Sequence, residues 1–519
     1  MRRLLLILSF LSLGFSIDIT SGGKLSKNQL GVDVRHYDIR LKIDPKRKMI
    51  SGYVDIKIKV IDEVRFIELD LLNQYFISKV MIDGVTTPFK HRDNTIFIKA
   101  QDIETNSTIL VTVEYKGKPP IAENPPWIGV SCQANGSHLW YPSKEHPSDE
   151  PESAEIRITV PKPLSVASNG SLQSVKEHKN KWTTWHWSTK YSINPYNINF
   201  TVGHFELIER IVPSLGKPLR VQFYVLKENL EGAEKLLDQV EIFVEFFTRN
   251  FGQFPWIEEK LGLVNTPYFG MEHQTMIAYG NAYKKNEKGY DFLLFHEMAH
   301  EWGGNYLSVS DWSDFWIHEG FAVYCEALYI EEKYGYEEYN SFFTKNISKK
   351  IPLSKPIVLE RNSTMSQIFG LDPYYKGAFV LHMLRYLVGD EKFFKILKEL
   401  LHSKKDLPNN QITTSDFIDI VHSVIETNID WFFKVYLYEN QYPIINQKIS
   451  HGSNHTFVEL HWENSDFSMP VEVFYKSNIG FTKKKLVLTN EPIMIAIPQY
   501  NKIKIDPDKR VLLTIHKKE

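Results

Sequence analysis

The hydrophobic period of this chain changes twice, and that limits its fold more than any other feature. In "HYDIRLKID" Tyr37, Ile39, Leu41 and Ile43 alternate with polar residues, and in "YVDIKIKV" Val54, Ile56, Ile58 and Val60 do the same. Alternation at period two gives a strand one buried face. The pattern continues, broken by Gly, Pro and Asn, to about "FTVGHFELIE", so residues 24–207 are expected to form an antiparallel β domain. In "EGAEKLLDQVEIFVEFFTRNFG" the period turns helical. Ala233, Leu236, Leu237, Val240, Phe243, Val244 and Phe247 share one face, and Gly252 stands just past the end. Helical segments recur to "IDWFFKVYLYENQYP", which makes 208–443 a mainly helical domain with a strand-like piece at "KLGLVNTPYFG". From 444 alternation returns in "KKLVLTN", "IMIAIP" and "KIKIDP", and a small β-sandwich over 444–519 is expected. With 519 residues the chain is too long for one core and agrees with about three domains.

Ahead of the first strand lies "MRRLLLILSFLSLGFSIDITSG", in which Arg2 and Arg3 precede an apolar run ending near Gly14 and Ser16. This reads as a secretory signal peptide over residues 1–16. The run falls short of the roughly 20 residues that span a bilayer, so an uncleaved anchor is the minority reading. An exported protein, periplasmic or extracellular, is expected, and no second segment is long enough to span a membrane. Only Cys132 and Cys325 are present, which excludes a disulfide scaffold; two free buried thiols are expected, with a single bridge as the alternative. A net charge of −2 without a basic block gives a nucleic-acid partner little support.

The chemistry lies in "DFLLFHEMAHEWGGN", Asp291 to Asn305. On a helix, His296 and His300 are one turn apart on one face, so both imidazoles reach one ion, while Glu297 points about a third of a turn away. The helix is expected to stop at Gly303-Gly304. A solvated polar face fits poorly, because Phe292, Leu293, Leu294, Phe295, Met298, Ala299 and Trp302 surround these residues and would bury them at a cost. A catalytic site needs a third ligand, and Glu319 follows His300 by nineteen residues in "DFWIHEGFAVYCEALYIEEKYG", a second helix expected to end near Gly335. HExxH-x18-E makes His296, His300 and Glu319 the candidate ligands, one Zn2+ per chain the expected cofactor, and Glu297 the candidate general base. Glu326, two turns past Glu319, is as well explained by a surface carboxylate as by a hydrogen bond to a ligand.

These residues resemble the zinc aminopeptidases related to aminopeptidase N and leukotriene A4 hydrolase. The resemblance covers about residues 30–510, is densest at 265–330, and implies a saddle-like β domain, a thermolysin-like catalytic domain and a β-sandwich. It also implies the ligand and base roles already assigned. "YFGMEHQ" is similar to the family's Gly-Ala-Met-Glu-Asn motif: Met271 and Glu272 match, Gly270 stands at the Ala position, where the family also accepts Gly, and Phe269 and His273 depart. The resemblance makes Glu272 the carboxylate that holds a substrate's α-ammonium, which charge pairing supports. "DPYYKGAFVLHML" resembles the Tyr-x-Lys-Gly motif, which assigns Tyr374 rather than Tyr375 as the oxyanion donor; the residues by themselves do not rank the two. A looser likeness around "SCQANG" makes Gln133 a second-tier substrate contact, with an inert loop Gln as rival. Many relatives carry a further helical C-terminal domain. Without it the site is expected to be more open, or covered by a second subunit, which leaves a dimer open. The expected activity is removal of N-terminal residues from peptides. The alternatives are a zinc endopeptidase, another hydrolase such as an epoxide hydrolase, and a non-catalytic peptide-binding protein.

Overall fold

A computed structural model describes residues 21–119, 136–352, 355–403, 410–463, 467–477, 480–498 and 502–518. The expected signal peptide, Cys132 and Gln133 lie outside the described residues. A β-rich N-terminal part is followed by a helical part and by C-terminal strands. By contact the chain divides into two compact units. One takes Met1–Trp312, Arg361–Gln367 and Lys404–Ile412, and the other Ser313–Glu360, Ile368–Ser403 and Thr413–Glu519. Among the described residues no helix is long and apolar enough to cross a membrane.

The first unit is built on an eight-stranded sheet whose centre is the pair Val32–Asp44 and Met49–Val60. The alternating residues of the sequence pattern become its buried face: Tyr37, Ile39, Leu41, Val54, Ile56 and Ile58 are all buried. The sheet is antiparallel except at one place, where Val32–Asp44 runs parallel to Ser153–Pro161, Tyr37 facing Ala154. The long stretch between them, which itself contributes strands, supplies the crossover that a parallel pair needs.

A second, five-stranded sheet follows in the order Phe205–Ser214, Lys217–Leu226, Leu261–Asn265, Ile277–Tyr279, Gly270–Met271. The amphipathic helix Leu230–Phe251 buries the face expected for it and ends at Gly252, whose φ is 94°. Phe243 and Phe247 of that helix pack on Phe295, with ring centroids 5.0 and 4.8 Å apart. Burial of these rings fixes the helix Phe292–His300 against the helix Leu230–Phe251.

In the second unit the helix Trp316–Tyr334 ends at Gly335, where the sequence pattern placed its stop. It lies against the helix Asp372–Val388. The C-terminal strands form one sheet of four and one of three, with Val458, Leu460, Trp462, Val471 and Val473 fully buried. Cys325 is a free, buried thiol whose pKa is raised by burial.

Candidate active site

The helix Phe292–His300 begins where Asp291 accepts a hydrogen bond from the Leu294 amide at 3.0 Å. Asn281 Nδ2 donates to the same Asp291 oxygen, Oδ1, at 3.0 Å, so the cap is held by tertiary structure as well as by sequence. The helix stops at His300, three residues before Gly303. The turn continues past His300, with the Trp302 and Gly303 amides both donating to the Ala299 carbonyl at 3.1 and 3.0 Å, and the chain turns away at Gly304, whose φ is 142°. The Glu301 carboxylate accepts from Trp256 Nε1 at 2.8 Å and from the Thr275 amide at 3.0 Å. Trp302 then stacks on Phe247 at 5.0 Å.

His296 and His300 emerge on one face, their Nε2 atoms 3.1 Å apart. His300 Nδ1 lies 3.1 Å from the Gly303 carbonyl, which can only accept, so the proton sits on Nδ1 and the Nε2 lone pair is left for a ligand role. Glu319, in the first turn of its own helix, is buried. One ligand atom from each of His296, His300 and Glu319 lies within 4.8 Å of the other two. Two imidazole nitrogens and one carboxylate are the donor set of a catalytic zinc site. Tetrahedral zinc at its usual nitrogen distance separates two such nitrogens by about 3.3 Å, close to the spacing seen here. The residues fit the metal.

Glu297 is buried beside the short strand Gly270–Met271. A Cβ on Gly270 would stand 2.7 Å from Glu297 Oε1 and 2.7 Å from Leu293 Cδ1, so the missing side chain is what lets strand and carboxylate meet. Glu272, two residues along, is 6 % exposed. Tyr196 donates its hydroxyl to Glu272 Oε1 at 3.2 Å, and Asn305 Nδ2 donates to the Glu272 carbonyl at 2.8 Å. Neither Tyr196 nor Asn305 was assigned such a contact from the sequence. Tyr196 lies 76 residues from Glu272 and Asn305 lies 33, separations that no local pattern reports. His273, which departs from the family motif, is buried with Nδ1 3.1 Å from Asn199 Nδ2. Burial pushes its pKa down to about 3, so it is neutral at physiological pH.

Tyr374 sits at the start of its helix, edge-on to Phe315 at 6.4 Å. Its neighbour Tyr375 is pushed up to about 12, first by burial and then by the nearby carboxylates of Glu326 and Glu319. Lys350 Nζ lies 4.7 Å from the centre of the Tyr375 ring. The motif's Lys376 is buried and donates to the Glu439 carbonyl at 3.0 Å, which ties this helix to the chain just before the C-terminal strands.

A helix-borne pair of histidines, a carboxylate ligand and an adjoining carboxylate define a zinc metallopeptidase scaffold. The chain belongs to peptidase family M1: residues 34–196 match the Peptidase M1 N-terminal domain and residues 241–436 the Peptidase family M1 domain. Zinc is the metal that family and donor set imply. A probable aminopeptidase 2 from Sulfurisphaera tokodaii is 22% identical over 85% of this chain and 58% of its own length. The glutamyl aminopeptidase of Sus scrofa is 25% identical over 56% of this chain and 32% of its own. The chain thus spans 58% of the length of the first of these curated relatives and 32% of the second. An M1 zinc metallopeptidase from Deinococcus radiodurans shares the fold with a TM-score of 0.67 at 21% identity, over 81% of this chain and 96% of that one.

Proposed function

We propose that this chain is an exported zinc aminopeptidase, which removes N-terminal residues from peptides. One observation carries the reading. A buried carboxylate, Glu272, is held by the Tyr196 hydroxyl two residues from Gly270, which itself touches Glu297. An anion kept at that spot is stabilised by a substrate ammonium and fixes which peptide bond faces the base. An internal peptide bond brings no such cation, which argues against endopeptidase action. The relatives compared above are named aminopeptidases, in keeping with this reading.

Zinc, when bound by His296, His300 and Glu319, supplies the Lewis acid that makes water nucleophilic at neutral pH. Glu297 accepts the proton of the attacking water at its carboxylate and delivers it to the departing amine. Tyr374 donates its phenolic hydrogen to the developing oxyanion, a contact worth about 3 kcal/mol of barrier. Met271 and Gly270 line the backbone beside the scissile bond, and Gln133 remains a proposed contact for the amino end. Export rests on the N-terminal signal pattern, and fractionation of the native host protein tests it.

The activity test compares an aminoacyl-anilide with its N-acetylated form on zinc-loaded protein. The free-amino form alone is expected to be cleaved. Equal cleavage of both removes the exopeptidase reading, and cleavage of neither favours a binding role.

A further inference from the structure

We propose that Asn305 is a positioning residue that sets the distance between the metal centre and the amine-binding carboxylate, and so sets the register of cleavage. The inference rests on the aminopeptidase reading and deepens it. Asn305 is buried, and its amide N–H and both polar atoms of its side chain are engaged. Its amide donates to the His300 carbonyl at 2.8 Å, which anchors it to the last turn of the helix that presents both histidines. Its Nδ2 donates to the Glu272 carbonyl at 2.8 Å and lies 3.2 Å from Glu301 Oε2. Its Oδ1 accepts from Asn197 Nδ2 at 2.8 Å.

Asn197 follows Tyr196 in the chain, and Tyr196 donates to Glu272 Oε1. Two routes therefore run from the metal helix to Glu272, one to its backbone and one to its carboxylate, and both pass through the Asn305 side chain. A primary amide is the one group of this size that donates and accepts in opposite directions from a single planar unit. Aspartate has the same shape but cannot donate to the Glu272 carbonyl, and alanine does neither. In a site of this kind, displacement of an anchor by about 1 Å costs on the order of a hundredfold in rate.

The test uses the zinc-loaded full chain and its Asn305→Ala and Asn305→Asp variants. Zinc content and melting temperature are measured first, and Asn305→Asp serves if Asn305→Ala does not fold. The expected result is stoichiometric zinc, a KM for the free-amino anilide raised about tenfold or more with a smaller change in kcat, and a lower preference for the free-amino over the N-acetylated substrate. Calorimetry of an amino-acid amide binding to metal-stripped protein is expected to show the same loss of affinity without turnover. Mass spectrometry of a defined peptide is expected to show some removal of two residues instead of one. If wild type favours the free amine and both variants keep that preference and the amide affinity, the inference fails while the aminopeptidase reading stands. If wild type itself shows no preference, both fall.

Discussion

Gly320 and Gly377 meet backbone to backbone: a Cβ on Gly320 would lie 2.9 Å from the Gly377 carbonyl carbon, and one on Gly377 would lie 3.0 Å from the Gly320 Cα. The contact joins two sequence motifs of the second unit. Gly320 follows the ligand Glu319, and Gly377 follows the Tyr374-Tyr375-Lys376 run. Neither helix would bring its functional residues this close with a side chain in the way.

Alanine at either position should therefore destabilise the protein. A helix interior gains about 1 kcal/mol from glycine to alanine. Overpacking costs about 1–3 kcal/mol, and here the obstructing atoms are backbone and cannot swing aside. The clash wins. Urea unfolding of Gly320→Ala and Gly377→Ala should show lower midpoints and zinc should bind more weakly; a gain in stability would show that the helices have room to part.

Glu297 is not among the three ligands, so its removal should separate metal binding from proton transfer. Glu297→Gln is expected to keep stoichiometric zinc and lose about 10²–10⁴-fold in kcat. Metal analysis beside steady-state kinetics checks this. Wild-type turnover in the variant would hand the proton to another group.

Gly270→Ala tests the contact between strand and base. The added methyl would reach Glu297 Oε1 and Leu293, both side-chain atoms that can yield, so the fold should tolerate it. The carboxylate pays in orientation, and about tenfold loss of kcat with unchanged zinc is expected. Unaltered kinetics would show that Glu297 has slack the distances do not suggest.

Much of this was legible in the sequence because it depends on neighbours along the chain. Period-two alternation placed Val54, Ile56 and Ile58 in the core, and the face from Ala233 to Phe247 was readable from spacing alone. The pair His296 and His300 follows from helix geometry, and the helix Trp316–Tyr334 ends at the glycine expected to stop it. What escaped depends on contacts between distant segments. Trp256 and the Thr275 amide hold the Glu301 carboxylate just past the metal helix, contacts that spacing along the helix does not report. The parallel pairing of Val32–Asp44 with Ser153–Pro161 leaves no trace in alternation, which is the same for either direction. Tyr196 and Asn197 carry no local mark, since a tyrosine or asparagine in a short turn of helix is ordinary until its partner is known, and Asn305, although it closes the metal motif, shows nothing of its contacts in the sequence.

His382 provides a pH test of the second unit. It is buried, stacked on Phe343 with centroids 4.1 Å apart, and its Nδ1 lies 2.8 Å from the Tyr339 hydroxyl. Burial first, then the charges of Arg510 and Arg385, push its pKa down to about 3 from 6.5. Between those values the unfolded chain binds a proton that the folded protein refuses, so this residue's contribution to stability falls as pH falls below 6.5. His382→Phe keeps the ring stack and removes the proton site, at the cost of the Tyr339 hydrogen bond. Relative to wild type, the variant should gain about 2 kcal/mol on going from pH 7 to pH 5, whatever its stability at pH 7. Denaturant midpoints at the two pH values measure the difference. A gap that stays constant would mean that His382 is protonated in the folded protein, and that the stack with Phe343 is made by an imidazolium.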